Sequence, residues 1–185
     1  YNKPTQEGLF QHYCVLSQAS PLPLILYNVP GRTGANMTAE TTLRIARACS
    51  NVIAVKEASG NLDQIKAIID DAPQGFHLIS GDDAITTAVI EMGGIGVISV
   101  FGNAFPREMS CLVNSALDGN AINVRHKMEK DFNRLFHLIF VEGNPAGVKC
   151  ILNLKGMAQN RLRLPLVPVS EKILLEIKEE LARLD

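Results

Sequence analysis

Four short apolar runs constrain this 185-residue chain more than any other feature: "LPLILYNV" at 22–29, "VIAVK" at 52–56, "FHLIS" at 76–80 and "IGVISV" at 95–100. Each is rich in strand-forming residues and nearly continuous in its hydrophobicity, which suits parallel strands buried on both faces. Helical patterns separate them. "TAETTLRIARAC" starts at a capping threonine, "NLDQIKAIIDD" at Asn61, "DAITTAVIEM" follows Ser80 and Gly81, and "PREMSCLVNSALDG" ends on a glycine suited to a helix C-terminus. Strand and helix alternate four times, so the fold class is α/β with a parallel sheet, either open and doubly wound or closed into a barrel. In both architectures the C-terminal strand ends carry the site.

From residue 121 the strand pattern stops. "AINVRHKMEKDFNRLFHLIF", "NPAGVKCILNLKG" and "EKILLEIKEELARLD" read as three helices, the last with an apolar stripe of Leu174, Ile177, Leu181 and Leu184. "NRLRLPLVPVS" is the proline-punctuated linker before it. The expected division is therefore 1–120 for the α/β part and 121–185 for a helical domain. The opening "YNKPTQEGLFQHY" has no initiating methionine and places Thr5 as an N-cap, as though the segment began just after a strand.

Eighteen basic and nineteen acidic residues leave a net charge of -1, with no electrostatic footprint for nucleic acid or an anionic membrane. No run reaches the eighteen or so apolar residues of a membrane span. Cys14, Cys49, Cys111 and Cys150 form no CxxC pair and no cluster with the four scattered histidines, so no metal site is expected. Free thiols fit a reducing, cytoplasmic setting. No GxGxxG or GxxxxGK[ST] follows a strand, which removes the best support for nucleotide binding.

The strand ends carry the chemistry. Lys56 closes its run; in a pocket, desolvation favours the neutral amine, which can attack a ketone to form a Schiff base. A strand-end lysine reaching water is the alternative. Tyr27 holds the corresponding place on the preceding strand, where its phenol could shuttle a proton to a neighbouring amine or simply keep its hydroxyl wet. Arg32 lies in "PGRTG", suited to capturing a carboxylate or to ordinary solvation. Asp82 and Asp83 in "SGDD" precede a helical pattern and read as capping residues.

Taken together, "YNKPTQEG", "YNVPGRTG", "VIAVKEASGN", "LISGDD" and "GGIGVISV" resemble, in order and spacing, the dihydrodipicolinate synthase family, and "VEGNPAGVK" with "LRLPLVP" is similar to its helical tail. The resemblance implies a (β/α)8 TIM barrel of which this chain holds the last four strands, since a whole barrel takes about 250 residues. It implies that Lys56 forms a Schiff base with pyruvate, that Tyr27 relays protons, and that Arg32 engages the carboxylate of aspartate semialdehyde. Tyr1 would be a relay tyrosine reaching a neighbouring subunit, with a homodimer or homotetramer as the assembly. Gly81 and Ile98 would line the pyruvate pocket, and no cofactor is implied. Two local departures are Gly147, where the family often has proline, and Phe101–Gly102, where threonine and alanine are frequent. N-acetylneuraminate lyase and its relatives share the lysine and tyrosine but usually lack the arginine, so Arg32 favours the synthase. A noncatalytic half-barrel is the expectation from outside the enzymes.

Overall fold

The computed structural model describes residues 2–119 and 121–184, with side chains except at 121, 124, 125, 128 and 129. It divides into two compact units, Tyr1–Ile98 and Ser99–Asp185.

The first unit is built on three parallel strands in the order β1 (Leu24–Asn28), β2 (Val52–Glu57) and β3 (His77–Ser80). Helix α1 (Gln6–Ala19) precedes β1, the short turn α2 (Pro30–Thr33) and α3 (Ala39–Ala48) link β1 to β2, and α4 (Leu62–Asp70) links β2 to β3. Helix α5 (Thr86–Glu91) follows β3 after a 3-10 turn at Asp83–Ile85. The expected caps are present. Thr5 accepts from Gly8 N, Thr38 from Thr41 N, Asn61 from Gln64 N and Asp82 from Ala84 N. Each satisfies a backbone donor that has no partner inside its helix.

The sheet buries one face. Leu26, Val55 and Leu78 pack with Leu43, Ile45, Ile65, Ile68 and Val89 from the helices. Ile45, Ile65 and Ile68 are fully buried, and each such side chain contributes about 1.5–3 kcal/mol relative to exposure. The expectation of burial on both faces is corrected at β1, where Ile25 is 48% and Tyr27 45% exposed, while on β2 the register partner of Ile25, Ala54, is 3% exposed. The helices of this unit supply apolar partners to one side of the strands, and the described residues leave the other side of β1 open.

The fourth expected strand is also corrected. "IGVISV" forms a single bridge, Ser80 to Val97, rather than a strand. Ile95 N donates to Leu78 O, Ser80 N to Gly96 O and Ile98 N to Ser80 O, so the segment still runs beside β3. Glycines weaken its regularity, and Gly96 has φ 155°, which a side chain would resist.

In the second unit, α6 (Pro106–Leu117), α7 (Ala121–Phe140), α8 (Ala146–Leu154) and α9 (Glu171–Leu184) follow a 3-10 turn at Phe101–Asn103. Phe101 is fully buried, stacked on Phe105 with centroids 4.6 Å apart and edge-on to Phe136 at 4.7 Å and Phe132 at 5.2 Å. This family departure is thus an anchor of the unit's core. Residues 160–170 form no helix or strand, as the proline-rich linker predicts. On α9 the buried residues are Ile173 and Ile177. The expected stripe is present, with Leu174, Leu181 and Leu184 half-buried beside Ile177, and Ile173 widens it on a helix that packs against α7 and α8. Glu142 accepts from Ser170 N and Oγ at 2.7 Å each, fixing the start of α9.

Candidate active site

Strand alternation decides which side chains can meet. Tyr27 and Lys56 are register partners on β1 and β2, and Ile79 of β3 is the partner of Lys56. Directly opposed residues share a face, so the phenol and the amine leave the sheet on the same side, at its C-terminal end. The Lys56 ammonium nitrogen lies 4.0 Å from the centroid of the Tyr27 ring. That is a cation-π contact, worth about 0.5–1 kcal/mol where exposed. It directs the lysine across the mouth of the strand pair. Lys56 is half-buried and Tyr27 is exposed.

The remaining expected residues sit at successive strand ends. Gly81 follows β3 immediately, and its backbone N donates to Glu57 O at 2.8 Å. A Cβ at Gly81 would lie 2.5 Å from the Ala58 Cβ and 3.0 Å from Glu57 O, so the close approach of β2 and β3 beyond Lys56 requires glycine. Ile98 is held to Ser80 through its backbone N at 3.0 Å, with its side chain 46% exposed. Arg32 lies on α2, four residues beyond Asn28, with its backbone N bonded to Val29 O and its side chain exposed. Tyr1 lies outside the described residues. The structure therefore brings Tyr27 and Lys56 into contact, and puts Arg32, Gly81 and Ile98 on the connections at the same end of the sheet. Among the described residues no group of three or more His, Cys, Asp or Glu side chains could hold a metal ion.

A hollow of about 780 Å³ lies between α1, β1 and the connection after β1, lined in part by Lys3, Leu9, Tyr13, Tyr27, Thr33 and Met37. Tyr27 forms part of its wall.

Sequence reasoning missed the other face of the same strand ends. Asn28 and Glu57, one residue beyond Tyr27 and Lys56, are 3% and 0% exposed and are register partners. Asn28 Nδ2 donates to Glu57 Oε1 at 3.0 Å and Oε2 at 2.9 Å; Ser59 N donates to Oε1 at 2.8 Å and Gln64 Nε2 to Oε2 at 3.2 Å. The available signal was the doublets "YN" and "KE", in which a polar residue directly follows each strand-end candidate and must therefore face the opposite side.

Comparison with known proteins places the chain in a family. Residues 1–184 match the model of the dihydrodipicolinate synthetase family. The chain is 58% identical over 171 residues to the 4-hydroxy-tetrahydrodipicolinate synthase of Phocaeicola vulgatus, covering 91% of this chain and 56% of that protein. It is 56% identical to that of Parabacteroides distasonis, covering all of this chain and 62% of the relative. The crystal structure of dihydrodipicolinate synthase from Thermotoga maritima superposes with a TM-score of 0.95 at 43% identity, over 99% of this chain and 63% of that one. The chain thus spans about three fifths of the length of these relatives. With matching family sequence over nearly every residue and a matching backbone beneath it, the chain belongs to the dihydrodipicolinate synthetase family.

Proposed function

We propose that this chain carries the Schiff-base chemistry of an enzyme that condenses pyruvate with L-aspartate semialdehyde to 4-hydroxy-tetrahydrodipicolinate, in lysine and diaminopimelate biosynthesis. The observation that carries the reading is the Lys56–Tyr27 contact at 4.0 Å on one face of two paired strand ends. Lys56 Nζ attacks the pyruvate ketone, and loss of water gives the imine. Loss of a methyl proton converts the imine to an enamine, whose carbon attacks the aldehyde of the second substrate. The amine of that substrate then closes the ring and releases Lys56. Tyr27 moves the protons of the carbinolamine steps, and Tyr1, from a neighbouring subunit, extends the relay. Arg32 holds the semialdehyde carboxylate by paired N–H donors, and Gly81 and Ile98 line the pyruvate pocket.

In this reading residues 1–120 are the second half of a (β/α)8 barrel and 121–185 its helical domain. The protein is a cytoplasmic lyase that works as a homodimer or homotetramer. The exposed face bearing Ile25, Tyr27 and Lys56 is then the barrel's interior side, which the remaining strands would cover. That same exposed face favours one competing reading: the 185 residues by themselves form a noncatalytic half-barrel.

The test is borohydride reduction in the presence of pyruvate, followed by intact mass and peptide mapping, with Lys56→Ala as control. An adduct on the Lys56 peptide that is absent from Lys56→Ala supports the Schiff-base reading. A folded protein with no adduct supports the noncatalytic half-barrel. An adduct with turnover of a sugar acid but not of the semialdehyde would favour an aldolase of the N-acetylneuraminate lyase kind.

A further inference from the structure

We infer that Glu57 is the positioning residue for Lys56: its buried carboxylate locks the ends of β1 and β2 together and thereby sets where the Lys56 amine lies. This rests on the Schiff-base reading for its functional meaning, though its geometry stands without it.

Packing alone gives no reason for a carboxylate here. Glu57 is fully buried, and the side chains that reach it are the amides of Asn28 and Gln64, joined by the backbone N of Ser59. Taking an ionised group out of water is expensive, and an apolar side chain of similar size would fill the space without that penalty. What a carboxylate offers is two oxygens that only accept, so they can receive donors from several chain segments at once. These donors come from the end of β1, the turn after β2 and the first turn of α4.

The network also closes on itself. Asn28 Nδ2 donates to Asn36 Oδ1 at 2.8 Å, Asn28 Oδ1 accepts from Met37 N at 3.0 Å, and Asn36 Nδ2 donates to Gln64 Oε1 at 2.9 Å. Residues 29–35, which include Arg32, are consequently tethered at both ends: Asn28 on one side, Asn36 and Met37 on the other. Because Glu57 is bonded to Lys56 through one peptide and Asn28 to Tyr27 likewise, fixing the Asn28–Glu57 pair on one face fixes the Tyr27–Lys56 pair on the other. Glutamine at 57 would keep the shape but turn one acceptor into a donor that faces the Asn28 or Gln64 amide. The lock would lose at least one hydrogen bond and gain a donor–donor clash.

The position of Lys56 can be read without catalysis. Reductive methylation with 13C-formaldehyde labels the lysines, and a dimethyl-lysine resonance missing from Lys56→Arg belongs to Lys56. Lying over the Tyr27 ring, it is expected upfield of the solvated lysines. In Glu57→Gln it should move toward them, while hydrogen exchange at the Ser59 and Met37 amides speeds by about tenfold or more and that at Val55 and Leu78 does not. The reciprocal exchange, Asn28→Asp with Glu57→Gln, restores a carboxylate facing an amide and should return the resonance in part. If Glu57→Gln does not fold, Gln64→Met removes one donor from the exposed side of the network, and a smaller movement in the same direction is expected. An unmoved Lys56 resonance in folded Glu57→Gln, or in Gln64→Met where the former does not fold, overturns the inference. Trapping with pyruvate is measured in parallel. Wild-type protein that shows the shifted resonance but traps no pyruvate rejects the Schiff-base reading and leaves the positioning role supported; trapping that slows in Glu57→Gln and recovers in the exchanged pair supports both.

Discussion

At the scale of single residues, burial sets the response to pH. The Cys14 thiol, desolvated and 3.6 Å from the Cys49 sulfur, is pushed above its ordinary value of about 9, and burial does the same to Cys150. Burial also raises the Tyr13 phenol above its ordinary value of about 10. In each case the folded protein holds its proton to higher pH than the unfolded chain does. The contribution to stability is therefore complete below the ordinary value and disappears as pH rises through the folded one. Denaturant midpoints should stay level up to about pH 8 and fall as the pH rises above the ordinary thiol and phenol values, and Cys14→Ser with Cys150→Ala should flatten that fall. A midpoint that does not change across this range would reject the assignment. Lys56 and Tyr27 were legible at this scale because each ends an apolar run, where a polar atom demands explanation. Glu57 was not: glutamate is nearly always solvated, and only the paired register showed that this one is enclosed by amides.

At the scale of elements, local chemistry was readable and longer-range fit was not. Thr5, Thr38 and Asn61 start their helices as their side chains require, because a cap depends on three or four adjacent residues. The segment at 95–100 has the composition of a strand yet forms one bridge, since glycine at 96 and the partners available beside β3 decide the ladder. The α9 stripe was legible in its spacing, since helix periodicity places Leu174, Ile177, Leu181 and Leu184 on one face, but its width was not: burial of Ile173 depends on the neighbouring helices. The junction of β2 and β3 gives the prediction that belongs here. Gly81→Ala would bring a methyl group 2.5 Å from the Ala58 Cβ, and both neighbours are tightly held, so the strand ends must part. Overpacking of this sort costs about 1–3 kcal/mol. A drop of that size in the denaturation free energy of Gly81→Ala is expected, accompanied by faster exchange at the Gly81 amide that bonds Glu57 O. A variant as stable as wild type would show that the backbone there can yield.

At the scale of the whole molecule, the open side of the sheet governs behaviour. Ile25 is 48%, Tyr27 45% and Ile98 46% exposed. Among the described residues strand β1 is also an edge of the sheet, with one row of backbone groups that no neighbouring strand pairs. A free edge beside exposed apolar side chains is a template for pairing with another chain. In a barrel, further strands would close that edge; in the 185-residue chain alone, the available partner is a second copy. Sedimentation at micromolar concentration should therefore show concentration-dependent association rather than a sharp species of 20.2 kDa. Ile25→Lys places a charge on the open face at the edge, where pairing would have to bury it, and should shift the equilibrium toward monomer while leaving the helix-covered face intact. A monodisperse wild-type monomer across that range, with no bound hydrophobic dye, would mean that this face is satisfied within one chain. The half-barrel reading of the 185 residues would then be wrong.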